Sequence, residues 1–205
     1  MSTATLDTTT VRRWKRYPEY RPANLEWQKR VPSHWQILPL KRRAGIRYGL
    51  GQPPEAIPEG LPLIRATNVK RGRIAEAGMM YVDPAEVPAS RDAVLCPGDI
   101  IVVRSGAYTG DSAIIPPDYA GAIAGYDMVV RARKDYSPYL SWQFLAPEVE
   151  NYQFNLVKLR AAQPHLNAEE LGETLVCLPP LPEQRAIAAF LNRETARIDA
   201  LIGHK

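Results

Sequence analysis

The sequence predicts an α/β (α+β) protein: a mixed, mostly β domain followed by a C-terminal coiled-coil helix. Three observations predict it. Nineteen prolines are spread over 205 residues. Each fixes φ and removes a backbone donor, so the chain must be built from short strands and turns rather than a helical bundle. Apolar, β-branched runs such as 99–104 (Asp99-Ile100-Ile101-Val102-Val103-Arg104) sit between turn residues, as buried strands do. Near the end the period changes: Ile187, Leu191, Glu194, Ile198 and Leu201 recur at spacings of four and three, an a/d seam with one polar position.

Residues 1–16 read as a disordered N-terminal tail, Ser/Thr-rich at its start and without periodicity. Residues 11–35 mix arginines with Trp14, Tyr17, Tyr20, Trp27 and Trp35, and Pro18, Pro22 and Pro32 break any long helix. They read as an arm whose aromatics are packing anchors. From Trp35 to about Val130 the pattern is β. Strands are expected at 61–65, 72–74, 99–104, 112–115 and 128–131, punctuated by Cys96-Pro97-Gly98, the loop 105–110 and Pro116-Pro117. Residues 137–155 read as helical, with Pro138 at a first helical position and Leu140, Phe144 and Leu145 on one face. Asn167 is the N-cap of a short helix, and 175–178 is a last strand. Pro182-Glu183-Gln184 opens the final helix. The expected domains are therefore 17–180 and the helix 181–205.

A chain of this size can bury a real core. Its apolar and charged fractions, 45% and 23%, are those of an ordinary soluble domain. No apolar run approaches the length of a membrane span, and the N-terminus has no apolar signal core. A cytoplasmic protein without membrane contact is expected. Cys96 and Cys177 read as ordinary buried thiols. The charge is uneven: residues 1–50 carry eleven Lys/Arg against three Asp/Glu, whereas the rest is net negative. A basic half implies a polyanion partner.

Catalytic signatures are absent. There is no phosphate-binding loop, and Gly49-Leu50-Gly51 runs into Gln52-Pro53-Pro54 as a turn. His34, His165 and His204 lack metal-ligand spacing, so no metal is expected. No Asp/Glu-x-Lys occurs, and Pro116-Pro117-Asp118-Tyr119 has the wrong order for an adenine methyltransferase.

Several blocks, taken in order, resemble the specificity (S) subunits of type I restriction–modification systems. They are Tyr17-Pro18-Glu19-Tyr20 through Val31-Pro32-Ser33-His34-Trp35 to Leu40-Lys41; Leu63-Ile64-Arg65-Ala66-Thr67-Asn68-Val69 with Gly72-Arg73-Ile74; Pro97-Gly98-Asp99-Ile100 through Arg104-Ser105-Gly106 to Gly110; Pro164-His165-Leu166-Asn167; and 179–188. The resemblance covers about 17 to 202. It implies a non-catalytic, sequence-specific subunit whose target recognition domain reads one half of a split duplex DNA site. Its conserved helices fix the spacer and dock the modification (methyltransferase) subunit. S-adenosylmethionine, ATP and Mg would act through the modification and restriction subunits, with no cofactor bound by this chain. Full-length members carry two recognition domains and this chain has one, so the resemblance leaves open a half-subunit that forms a homodimer through its C-terminal helix, a truncated or decoy fragment, or the recognition domain of a single-chain restriction–modification enzyme. Leu159-Arg160-Ala161-Ala162 departs from the Gly/Ser-rich turn expected before Pro164.

The candidate DNA-contacting residues follow from charge and side-chain chemistry. Lys41, Arg42, Arg43 and Arg47 follow the first domain strand and suit phosphates. Asn68, Lys70, Arg71 and Arg73 flank a turn, where Arg and Asn have the donor patterns that read guanine and adenine edges; Arg65 is equally suited to a structural pair. Arg104, Ser105, Tyr108 and Thr109 lie on a glycine-bearing loop whose amides either hold a phosphate or serve only a turn. Gln163 and His165 read as a cap or turn. Ile187, Leu191, Ile198 and Leu201 form the seam expected to meet a partner helix.

Overall fold

The computed structural model describes residues 15–155 and 164–203. Most of the expected tail, Trp14, the 159–162 departure, Gln163 and His204 lie outside the described residues. The chain falls into two compact units that part after Ser33. The first contains an antiparallel pair, β1 (Tyr20–Pro22) and β2 (Arg30–Pro32). Within it Tyr17 and Tyr20 meet edge to face, and Arg30 lies over the Tyr20 ring.

The second unit is built around a four-stranded antiparallel sheet. Its strands are β4 (Ala44–Tyr48), β9 (Ile100–Val102), β10 (Ser112–Ile114) and β12 (Met128–Ala132), ordered β10-β9-β12-β4. A second sheet, ordered β11-β5-β8, comprises β5 (Leu61–Ile64), β8 (Met80–Val82) and β11 (Ile123–Ala124). Two pairs complete the β structure: β6 (Val69–Lys70) with β7 (Arg73–Ile74), and β3 (Gln36–Pro39) with β13 (Leu175–Leu178).

The apolar run through β9 exists because both faces of that strand are covered. Side chains alternate along a strand, so Ile100 and Val102 join Met128, Val130, Leu140, Phe144 and Leu171 in one core. Ile101 and Val103 join Ile64, Val69, Ala113 and Val129 in the other. Each such fully buried aliphatic side chain contributes roughly 1.5–3 kcal/mol. A third cluster, Leu50, Leu63, Val82, Ala93 and Ile123, sits under the second sheet.

The expected helix over 137–155 is interrupted. α1 (Ser137–Leu145) stops at Ala146, and α2 (Pro147–Val149) runs on into a π-helical turn, Glu150–Phe154. Pro147 lacks an amide hydrogen and pushes Ala146 to extended backbone, φ −70° and ψ 136°. α3 (Ala168–Glu173) begins as expected: the Asn167 Oδ1 accepts the Glu170 N–H at 2.8 Å, and Glu170 returns a bond to the Asn167 amide.

α4 (Leu181–Gly203) is 23 residues long, about 34 Å at 1.5 Å per residue. Its first turns are locked onto the sheet. Gln184, buried, donates to Asp135 and to the Pro179 carbonyl and accepts the Tyr136 N–H. Ala188 enters the core and Ile187 packs against it. Trp142 of α1 donates to Asn192 at 2.8 Å. Beyond that the seam emerges: Leu191 is half-buried, whereas Ile198, Leu201 and Ile202 are exposed. Among the described residues no helix is long and apolar enough to cross a membrane.

Candidate nucleic-acid interface

Register brings three side chains to one end of the four-stranded sheet. Met128 pairs with Tyr48 on one side and Val102 on the other. The last residue of β4, the chain leaving β9 and the chain entering β12 therefore meet. Tyr48, Arg104 and Tyr126 converge there. The Arg104 guanidinium carbon lies 4.6 Å from the Tyr48 ring centroid and 4.2 Å from that of Tyr126. Each such cation–π contact is worth about 0.5–2 kcal/mol, depending on solvation. Gly49 permits the close approach. A Cβ there would collide with the Gly125 and Ala124 carbonyl oxygens, and the Gly49 N–H donates to the Asp127 carbonyl at 2.9 Å.

The backbone of Arg104 is held on both sides. Its N–H donates to Asp127 Oδ1 at 3.2 Å and its carbonyl accepts the Leu166 N–H at 2.7 Å. Tyr48 is oriented by its hydroxyl oxygen, which accepts the Ala168 N–H at 2.9 Å. Asp127 is 2% exposed. Burial pushes its carboxyl up to about 6, with the Arg104 N–H and the Arg104 charge opposing. Among the described residues no carboxylate forms an ion pair with Arg104, and its Nε is buried without a hydrogen-bond partner.

The adjoining loop is self-contained. Ser105 bridges His165, and the amides of Gly106, Thr109 and Gly110 donate to Pro164, Gly106 and Val103. Thr109 is buried, with its hydroxyl donating to Gly106 and Pro164 carbonyls. Those three amides serve the turn and are not available for a phosphate, and Thr109 is corrected from contact residue to loop support. Tyr108 is exposed at the loop tip, with the Lys70 ammonium 4.2 Å over its ring.

Lys70 belongs to the β6–β7 hairpin, where Arg71 takes φ 31° and Gly72 φ 94°. The Gly72 N–H donates to Ser112 at 2.6 Å, so the hairpin abuts β10. Arg71 pairs with Glu150 at 2.6 Å and Arg73 with Asp199 of α4. All four side chains of Lys41, Arg42, Arg71 and Arg73 are exposed; Lys41 pairs with Glu173. Exposed pairs of this kind are worth little and separate readily.

Four further expectations are corrected. Asn68 is 0% exposed. Its amide nitrogen donates to Ala75 and Ala77 carbonyls and its oxygen accepts the Arg65 N–H, so it shapes the turn and cannot reach a base. Arg43 donates through two nitrogens to Asp135, at 2.6 and 2.9 Å. Arg47 donates to the Asp92 and Val94 carbonyls and to Asp99. Both guanidiniums are engaged inside the fold. Arg65 donates to the Gly78 carbonyl, a structural contact. Cys177 is buried as expected, but Cys96 is exposed, because it lies on the turn ahead of β9.

The remaining candidates fall into three groups, of which Arg71 and Arg73, paired with Glu150 and Asp199, are one. Lys70, Arg104, Ser105 and Tyr108 gather at one sheet end. Lys41 and Arg42 lie at the other, beside the Ala44–Ala132 pair. Tyr48 and Tyr126 are absent from the sequence-derived set. Their only sequence signal is the symmetry of Tyr48-Gly49 and Gly125-Tyr126, a tyrosine beside a glycine at two strand ends. Among the described residues no cluster of three or more His, Cys, Asp or Glu side chains is placed to hold a metal ion.

The chain is thus a mostly β, α+β domain with a cationic, tyrosine-lined sheet end and a long C-terminal helix. Residues 81–204 match Methylase_S, the type I restriction modification DNA specificity domain, and the chain belongs to that family. It is 24% identical over 185 residues to the type I restriction enzyme EcoKI specificity subunit of Escherichia coli (strain K12), covering 86% of this chain and 40% of that protein. The fold is similar to that of the HsdS subunit from Thermoanaerobacter tengcongensis, with a TM-score of 0.64 and 22% identity over 83% of this chain and 44% of that one. A chain from a structural study of the type I R-M system gives a TM-score of 0.63 at 19% identity, covering 89% of this chain and 42% of that one. The S subunit from M. genitalium gives 0.57 at 13%, covering 84% and 42%. The chain thus spans about two fifths of the length of these relatives.

Proposed function

We propose that this chain is a non-catalytic, cytoplasmic specificity element that recognises duplex DNA, reads one half of a bipartite site, and positions an adenine methyltransferase subunit and a restriction subunit there. The family match over 81–204 carries the reading. The sheet end bearing Lys70, Arg104 and Tyr108 supports it, since phosphate contacts position a protein and base-edge contacts specify sequence. Lys41 and Arg42 would add sequence-independent phosphate contacts. S-adenosylmethionine, ATP and Mg would act through the partner subunits. The domain division is a recognition domain over 17–180 and a helix over 181–205. The exposed Ile198, Leu201 and Ile202 of α4 suit a partner helix, in a second copy of the chain or elsewhere in the assembly.

The test is co-expression with the neighbouring modification subunit, followed by mapping of adenine methylation across a random-sequence plasmid library. A split, palindromic methylated motif is expected from a half-subunit acting as a symmetric dimer. Stable co-purification without methylation would overturn the reading in favour of a fragment that holds its partner without directing it.

A further inference from the structure

We propose that Arg104, which lies over the rings of Tyr48 and Tyr126, is the specificity anchor of this domain and binds a coplanar pair of acceptor atoms on DNA: the O6 and N7 of one guanine, or two oxygens of one phosphodiester. This rests on the DNA-recognition reading and names what that surface binds.

An arginine can find a carboxylate or a carbonyl within its own fold. Arg43, Arg47, Arg65, Arg71, Arg73 and Arg131 all do so here. Arg104 does not, although the nearby Asp127 is an acid. Asp127 accepts the backbone N–H of Arg104 instead, which fixes the main chain and leaves the guanidinium without an ion pair among the described residues. The two tyrosine rings lie over the guanidinium at 4.2 and 4.6 Å. They limit the side chain's freedom while its N–H donors remain the groups able to meet a ligand. The planar fork of those donors matches a two-acceptor edge. A lysine, with a compact charge and no plane, would not. Tyr48 is anchored through Ala168 and Tyr126 adjoins Asp127 in the chain. Both touch Arg104 and act through it, as positioning residues.

The experiment selects duplexes from a random library with the purified full chain, the Arg104→Lys variant and the Tyr126→Ala variant, then measures affinity against salt. Thermal melting checks that each variant folds. If the acceptor pair is a guanine, Arg104→Lys loses the preference at one G·C pair by about 5- to 150-fold and keeps the rest of the motif. Tyr126→Ala weakens the same position. If the pair is a phosphodiester, Arg104→Lys weakens binding to every sequence alike through the lost fork, and Arg104→Gln lowers the salt slope by about one. Folded variants that all keep the wild-type motif, affinity and slope would overturn the proposal while leaving DNA recognition intact. A wild-type chain that enriches no duplex would overturn the recognition reading, and this inference with it.

Discussion

The two ends of the four-stranded sheet treat charge in opposite ways. At the end where β9 begins and β12 finishes, Asp99 is 2% exposed and accepts two nitrogens of Arg131, at 2.7 Å each, with Arg47 at 3.2 Å. Arg43 and Asp135 close a second pair nearby. At the end where β9 finishes and β12 begins, Asp127 is buried to the same degree but accepts a backbone amide and forms no ion pair among the described residues, and Arg104 faces tyrosines. Burial alone would raise the Asp99 carboxyl; Arg131, the Cys96 amide and Arg47 together hold it below its ordinary value. Asp127 has no such partner, and burial carries it up to about 6. One end pairs its buried acid with arginines. The other keeps a cation available, as a binding surface requires.

The comparison breaks most severely if the paired end loses its acid. Asp99→Ala removes the buried acceptor of two Arg131 nitrogens, one Arg47 nitrogen and the Cys96 amide, and losing those bonds costs about 3 kcal/mol, while Arg131 stays partly solvated and Arg47 keeps Asp92. Urea denaturation should show this loss, with the midpoint lowered and the slope unchanged.

The next effect is at the other end and has a sign that can be checked. The folded Asp127 carboxyl titrates near 6, above its ordinary 3.8. Between those values the folded protein holds a proton that the unfolded chain has released. Stability from this group is therefore highest at low pH and is lost as pH rises through about 6. Asp127→Asn should stabilise the protein at pH 8 by up to about 3 kcal/mol and flatten that limb of the pH profile. Asp99 works in reverse: its contribution is present above the unfolded carboxylate value and fades only as pH falls through its lowered folded value. Thermal melts across pH 3 to 8 would resolve the two windows, and a wild-type profile with no rise in stability on acidification toward pH 5 would contradict the assignment of Asp127.

Smaller changes sharpen the contrast. Tyr48→Phe keeps an aromatic ring beside Arg104 but removes the acceptor for the Ala168 N–H, and should cost about 1 kcal/mol. Lys41→Ala and Glu173→Ala break only an exposed pair. A double-mutant cycle should return a coupling below about 1 kcal/mol, while Lys41→Ala weakens DNA binding equally on all sequences and lowers the salt slope by about one.

The elements were legible because their signals are local. Pro138, Asn167 and the β-branched run after Gly98 announce a helix start, a cap and a strand without reference to the rest of the chain. The break at Ala146 was equally present in Pro147, yet the helical period of the flanking residues masked it. The site was legible only in part. Arg104, Lys70 and Tyr108 are cationic or aromatic residues on turns. Tyr48 and Tyr126 are 78 residues apart by number and meet only through the Met128 pairings. Asn68, with the donor pattern of an adenine reader, proved to be an interior turn support, since side-chain chemistry does not report burial.

By itself, then, the sequence determined the strands around 100, 113, 129 and 176, the cap at Asn167, the final helix, the basic bias of the first fifty residues and the family resemblance, because periodicity, turn chemistry and composition are short-range properties. Only the tertiary structure decided which cations are engaged and which remain available. That depends on strand register, on the glycine contact at Gly49 and on where carboxylates such as Asp99, Asp135 and Asp127 fall across the sheet. Ion pairing reaches only a few ångströms, and residues that close in space can be any distance apart along the chain.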